Sequence, residues 1–174
     1  NTTPRVGNTF MSLLYEQSAL VKEYLSLRAM SVVVASNAME KFGNLACREL
    51  KTRGFRVFPV NPHENEICGE RCYHTINELG TLVDRILIVL PPDMTRKLVW
   101  DLNPVILYYV CMQNGAGASD AIRVCHEKGI KTICGQCILM HADPVRSYHL
   151  LHRWWAMSVS SPLGMLKLRY KGEI

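Results

Sequence analysis

The sequence predicts an α/β protein in which five parallel strands form one doubly wound sheet with helices on both faces. Three observations predict it. Apolar runs rich in β-branched residues, Val32 to Ala35 and Asp84 to Leu90 among them, read as strands buried on both faces. Amphipathic stretches with apolar residues three and four apart separate those runs. The two patterns alternate at the spacing that parallel neighbours and right-handed crossovers require.

Phe10, Leu13, Leu14, Leu20, Val21, Tyr24 and Leu25 recur at helical spacing among Ser, Glu, Gln and Lys, which predicts a helix over 10–29 ahead of the first strand. Val32 to Ala35 is that strand. Leu45, Ala46, Glu49 and Leu50 then give a helix from Gly43 to Arg53, closed by Gly54 just past its end. Phe55 to Val60 is the second strand, stopped by Asn61-Pro62. From His63 to Gly80 the chain is polar and turn-rich, with one short helix near Ile76 to Leu79. Asp84 to Leu90 is the third strand, halted by Pro91-Pro92, and Met94 to Leu102 makes a helix. Val105 to Cys111 is the fourth strand, Gly115 to Lys128 a loop and helix ended by Gly129, and Ile130 to Cys134 the fifth strand. Beyond Met140 the periodicity fades. The expected organisation is an N-terminal helical extension over 1–29, the sheet domain over 30–141 and a C-terminal extension over 142–174.

A chain of 174 residues is long enough for one domain with a real core. No apolar run approaches the roughly 20 residues of a membrane span, so no membrane partner is expected. The formal net charge of +5 comes from scattered Lys and Arg without aromatic interleaving, which argues against nucleic acid and suits a small phosphate-rich ligand. Seven cysteines with no apolar leader before Phe10 read as reduced thiols in a cytoplasmic protein. The absence of an initiator Met suggests a trimmed or processed start and leaves open whether a targeting segment was removed before Asn1.

In open parallel sheets the ligand crevice lies at the carboxyl ends of the strands. Here those ends are Ala35-Ser36-Asn37, Val60-Asn61-Pro62, Leu90-Pro91-Pro92, Met112 to Ala116 and Gly135-Gln136-Cys137. They are small, amide or proline residues, which offer backbone N–H groups and few charges and so suit a pyrophosphate at a helix N-terminus. No Ser/His/Asp set, paired carboxylates, Walker motif or other proton-transfer group stands at them. A site for NAD wants a glycine-rich first turn and an acid after the second strand. Both are missing, and an acid there would repel adenosine carrying an extra phosphate, so coenzyme A or NADP is favoured over NAD.

Several short stretches resemble one family, the stand-alone CoA-binding domains related to the N-terminal Rossmann domain of the succinyl-CoA synthetase α subunit. The resemblance runs from about Met30 to His141. It is carried by Lys41-Phe42-Gly43-Asn44, by the run from Arg48 to Pro62, by Gly69, Cys72 and Tyr73, and by Pro91, Pro92 and Thr95. Gln113, Gly115, Ala116 and Ser119, then Gly135, Cys137, Ile138, Leu139 and Met140, complete it. The resemblance implies CoA or an acyl-CoA held along the strand ends. Its pyrophosphate would lie over Ala35 to Asn37, with Val34, Lys41 and Phe42 beside it. Its adenosine would lie near Asn61, Pro62 and the Leu90-Pro91-Pro92 loop with Thr95, and Gln113, Gly115, Ala116 and Cys137 would complete the site. It also implies a binding module rather than an enzyme. One departure stands out: Val34 replaces the glycine of the family's Gly-Ala-Ser turn, and its methyls would crowd a phosphate approaching the backbone.

Other groupings have plainer readings. Cys134-Gly-Gln-Cys137, with Cys125, His126 and His141 nearby, could ligate zinc or act as a redox pair, but one such pair without a second reads as packed thiols. His149, His152, Arg153, Trp154 and Trp155 make either a surface for a protein partner or a second copy, or a C-terminal helix packed on the sheet. Three functions stay open: a non-catalytic CoA or acyl-CoA binder, a small NADP-linked enzyme, and a degenerate domain that lost its ligand through Val34 and binds protein.

Overall fold

A computed structural model describes residues 17–34, 38–113, 116–135 and 137–142, with the side chains of 38–42 outside that description. Helix α1 is described over residues 17–26. It is followed by β1 (Ala29–Val34), α2 (Ala38–Thr52), β2 (Arg56–Val60) and the short strands β3 (Glu66–Ile67) and β4 (Glu70–Arg71). A 3-10 turn at Ile76–Leu79 leads to β5 (Arg85–Val89), α3 (Pro92–Asp101), β6 (Tyr109–Met112), α4 (Ser119–Glu127) and β7 (Lys131–Cys134), with a last 3-10 turn at Ile138–Met140.

Five strands form one sheet in the order β2-β1-β5-β6-β7, all paired in parallel. The register sets Val33 beside Val60 on one side and Ile88 on the other. Because side chains alternate across a strand, each strand feeds two cores. Val32, Val34, Leu87, Val89 and Cys111 pack with Tyr24 of α1, Ala46, Cys47 and Leu50 of α2, and Ile138 and Leu139. Val33, Val60, Ile86, Ile88, Val110 and Met112 pack with Val99 of α3 and Ala121, Val124 and Cys125 of α4. The sheet is therefore doubly wound, as the alternating pattern predicts.

Several boundaries differ from the sequence reading: the first helix ends at 26, not 29, β1 begins at Ala29, not Val32, and α3 at Pro92, not Met94. Helix α2 begins at Ala38, not Gly43, because Ala-Met-Glu-Lys ahead of the glycine favour helix and Gly43 serves close packing rather than a break. Strand β6 begins at Tyr109, not Val105. There Asn103 and Pro104 form a turn, with Val105 N–H donating to Asn103 Oδ1 (3.0 Å) and Leu107 N–H to Asn103 O (3.1 Å), which withdraws two strand-forming residues from the sheet. Within the turn-rich stretch lies the antiparallel β3–β4 hairpin, whose tip residues Cys68 (φ 54°) and Gly69 (φ 74°) both take the left-handed backbone of a tight two-residue turn. Lys51 ties this hairpin to α2 through Cys68 O (2.9 Å) and Glu70 (2.7 Å). Tyr73 then makes a parallel bridge to Val60, covering the upper edge of β2.

Candidate functional site

The chain runs outward from β1 to β2 and returns to the other side of β1 as β5, so the strand order reverses there. Loops leaving the sheet at such a point diverge and open a crevice. A cleft of about 500 Å³ lies there, within the range of small-ligand sites. Val33, Val34 and Val60 form its floor, Pro62 and Leu90 its rim. Helix α3 supplies one wall through Met94, Lys97, Leu98, Asp101 and Leu102, a stripe at helical spacing. The opposite wall is His63 and the stretch His74, Thr75, Ile76 and Asn77.

Local chemistry fixes each wall. Pro91 precedes the helix and Pro92 is its first residue, where a proline costs no hydrogen bond. Buried Thr95 donates its hydroxyl to Pro91 O (3.1 Å), holding the rim on the helix. Asn61 is wholly buried: its Nδ2 donates to Val34 O (3.2 Å) and its Oδ1 accepts from His63 N–H (2.8 Å), coupling the ends of β1 and β2 to the loop beyond. The Glu78 carboxylate accepts from Thr75 N–H (3.1 Å), Thr75 Oγ1–H (3.2 Å) and His74 N–H (3.4 Å), which pins the opposite wall.

The cleft gathers Val34, Pro62 and Leu90 of the predicted residues, with Asn61, Pro91, Pro92 and Thr95 supporting its rim. Gln113 and Ala116 are buried beyond β6 and do not line it; the Gln113 Oε1 has no partner among the described residues. Cys137 is half-buried against the α2-side core, whereas Cys134 packs on the α3-side core, so the Cys-x-x-Cys residues divide between the two faces. Among the described residues no three His, Cys, Asp or Glu side chains gather as metal ligands, and no helix is long and apolar enough to cross a membrane. Ala35, Ser36, Asn37, Gly115 and the C-terminal aromatic and basic group lie outside the described residues, as do the side chains of Lys41 and Phe42.

Two corrections follow. Val34 is 1% exposed and its side chain packs against Gly43, where an added Cβ would lie 2.2 Å from Val34 Cγ1. Its methyls fill the seam between β1 and α2, the close strand–helix approach that a glycine permits. The crevice also does not lack proton-transfer groups, since His63, His74 and Asp101 stand in its walls. Strand-end reasoning missed them because they lie on a loop and a helix flank. The visible signal was the 94, 97, 98, 101 and 102 stripe of α3, in which polar residues interrupt the apolar face.

Comparisons with known proteins place this geometry. The α subunit of the ADP-forming acetate–CoA ligase II of Pyrococcus furiosus is 25% identical over 126 residues, 66% of this chain and 28% of that protein. The ADP-forming acetate–CoA ligase of Methanocaldococcus jannaschii is 27% identical over 78 residues, 44% of this chain and 11% of that protein. The chain thus spans a minor part of these curated relatives. Among solved structures, a conserved hypothetical protein of Pyrococcus furiosus is 32% identical with a TM-score of 0.59, covering 64% of this chain and 97% of its own. A Thermus thermophilus protein is 22% identical with a TM-score of 0.65, covering 74% and 98%, and shares the fold. The CoA binding domain family matches residues 28–143, two-thirds of the molecule and the whole of its sheet, and the chain belongs to that family.

Proposed function

We propose that the protein binds coenzyme A or an acyl-CoA in this cleft without transforming it, as a carrier or sensor. The observation that carries the reading is the cleft at the strand-order reversal in a domain of the CoA-binding family. Its apolar floor and helix flank suit a planar base, and the start of α2 at Ala38 would offer backbone N–H groups to a diphosphate. Neither the His63 nor the His74 imidazole has a hydrogen-bond partner that would orient it as a general base, and no nucleophile is paired with either among the described residues.

Calorimetric titration of the full chain with CoA and acetyl-CoA checks binding, and thiol release from acetyl-CoA checks turnover. Saturable binding without thiol release is expected, and CoA at 100 times its dissociation constant should add about 2.7 kcal/mol to stability. A response to NADP alone, steady thiol release, or no response to either nucleotide would each overturn the reading, the last leaving a protein-binding domain.

A further inference from the structure

The tip of the β3–β4 hairpin lays one thiol over another. Asn44, Cys47 and Lys51 lie three and four residues apart and so share one flank of α2. Cys68, in the hairpin tip, is fastened at both ends of that flank: its Sγ–H donates to Asn44 O (3.2 Å) and its carbonyl accepts from Lys51 Nζ (2.9 Å). Cys47 lies between these anchors. A helical side chain leans back over the turn before it, here toward the Asn44 carbonyl on which the Cys68 sulfur rests. The two cysteines pack in one cluster with Ile67 and Cys72, Cys47 wholly buried and Cys68 half-buried. Burial first, and then the nearby Cys68 and Cys72 sulfurs, push the Cys47 thiol up to about 12. The turn itself favours asparagine, aspartate or glycine as its first residue, because that residue takes a left-handed backbone. Here it is Cys68, the only non-glycine with a positive φ among the described residues.

We propose that Cys47 and Cys68 are a reversible disulfide pair, which staples the hairpin to α2 when the protein meets a peroxide. The proposal does not rest on the CoA reading above. Of the two thiols only Cys68 reaches solvent, so it reacts first. Its thiolate attacks one peroxide oxygen, the O–O bond breaks, hydroxide leaves and Cys68 becomes a sulfenic acid. The Cys47 sulfur then attacks the Cys68 sulfur, the S–O bond breaks, and the hydroxyl departs with the Cys47 proton as water while the S–S bond forms. Two thiols are oxidised and one peroxide is reduced to two waters. The chain beyond β4 carries the effect to the cleft. Tyr73 N–H donates to Pro59 O (2.9 Å) and Tyr73 O accepts from Asn61 N–H (2.9 Å), and the next residues, His74 to Asn77, form one cleft wall. The staple therefore fastens that wall to α2.

The test treats the full chain with hydrogen peroxide under native conditions, alkylates the remaining thiols and maps the peptides by mass spectrometry. A Cys47–Cys68 linkage is expected to form first, with the loss of two hydrogens, reversal by dithiothreitol and slower amide exchange over 66–77 in the oxidised form. Cys47→Ala should leave a Cys68 sulfenic acid that dimedone traps and that the unaltered chain does not accumulate. Cys68→Asn should abolish the linkage while suiting the left-handed turn position, so that this variant folds, as thermal melts verify. A first linkage through Cys72, or oxidation of Cys68 past the sulfenic acid with no linkage, would overturn the proposal. A Cys47–Cys68 bond that leaves exchange over 66–77 unchanged would overturn the staple.

Discussion

Val34 and Gly43 form a contact with no slack. Alanine in place of an unconstrained helical glycine normally gains about 1 kcal/mol. At Gly43 the new Cβ would sit 2.2 Å from Val34 Cγ1 and 2.8 Å from Val34 Cβ, and a β-branched side chain has little rotamer freedom with which to yield. The expected sign is therefore reversed: Gly43→Ala should destabilise by about 1–3 kcal/mol in urea denaturation. Val34→Ala alone should cost about 2 kcal/mol for the vacated core volume, and the double variant should cost clearly less than the sum. Additive losses would mean that the seam has room. Valine at the end of β1 was legible as a departure from a glycine turn, but not its orientation. The sequence gives no sign that residue 34 faces residue 43, because their contact depends on how closely α2 descends on β1.

Among the elements, α1 is held by one buried cation. Arg85, the wholly buried first residue of β5, donates to Tyr24 O and lies 5.6 Å from the Tyr24 ring centre and 5.1 Å from that of Tyr109. Asp84 pairs with its Nε at 2.9 Å. On the surface Glu23 accepts from Tyr109 Oη–H (2.6 Å) and Lys131 (2.8 Å), so β6 and β7 also grip the helix. Arg85→Met should cost about 2–4 kcal/mol, because the Tyr24 carbonyl loses its donor and both rings lose the cation. The loss should appear as faster amide exchange in 17–26, and unchanged exchange there would refute the clamp. Strands and helices long enough to show a period were readable from sequence. The two-residue strands β3 and β4 were not, since a period needs more residues than they have, and Val105 and Ile106 misled because a turn can use β-branched residues as well as a strand can.

At the level of the whole molecule, burial couples folding to alkaline pH. Desolvation pushes the Cys47 thiol from 9.0 up to about 12 and also raises Cys111 and Tyr24. The folded state keeps these protons where the unfolded chain loses them, so their contribution is complete below about pH 9 and lost as pH rises toward 12. Under reducing conditions, stability should fall by up to about 1.4 kcal/mol per pH unit for each such group. A melting temperature that stays flat between pH 8 and pH 11 would contradict that burial. The location of a crevice at the strand-order reversal could be deduced from strand alternation, and Val34, Pro62 and Leu90 line the cleft there. Its charged walls could not, because His74 and Lys97 come to line one cleft only after the chain has folded back across β2 and β1. The contact between Val34 and Gly43 also constrains which changes this chain can accept together. With valine at 34, any side chain at 43 is penalised, so a chain that keeps the valine keeps the glycine most cheaply. Any library that varies the two positions together should recover small residues at one or the other, never bulk at both.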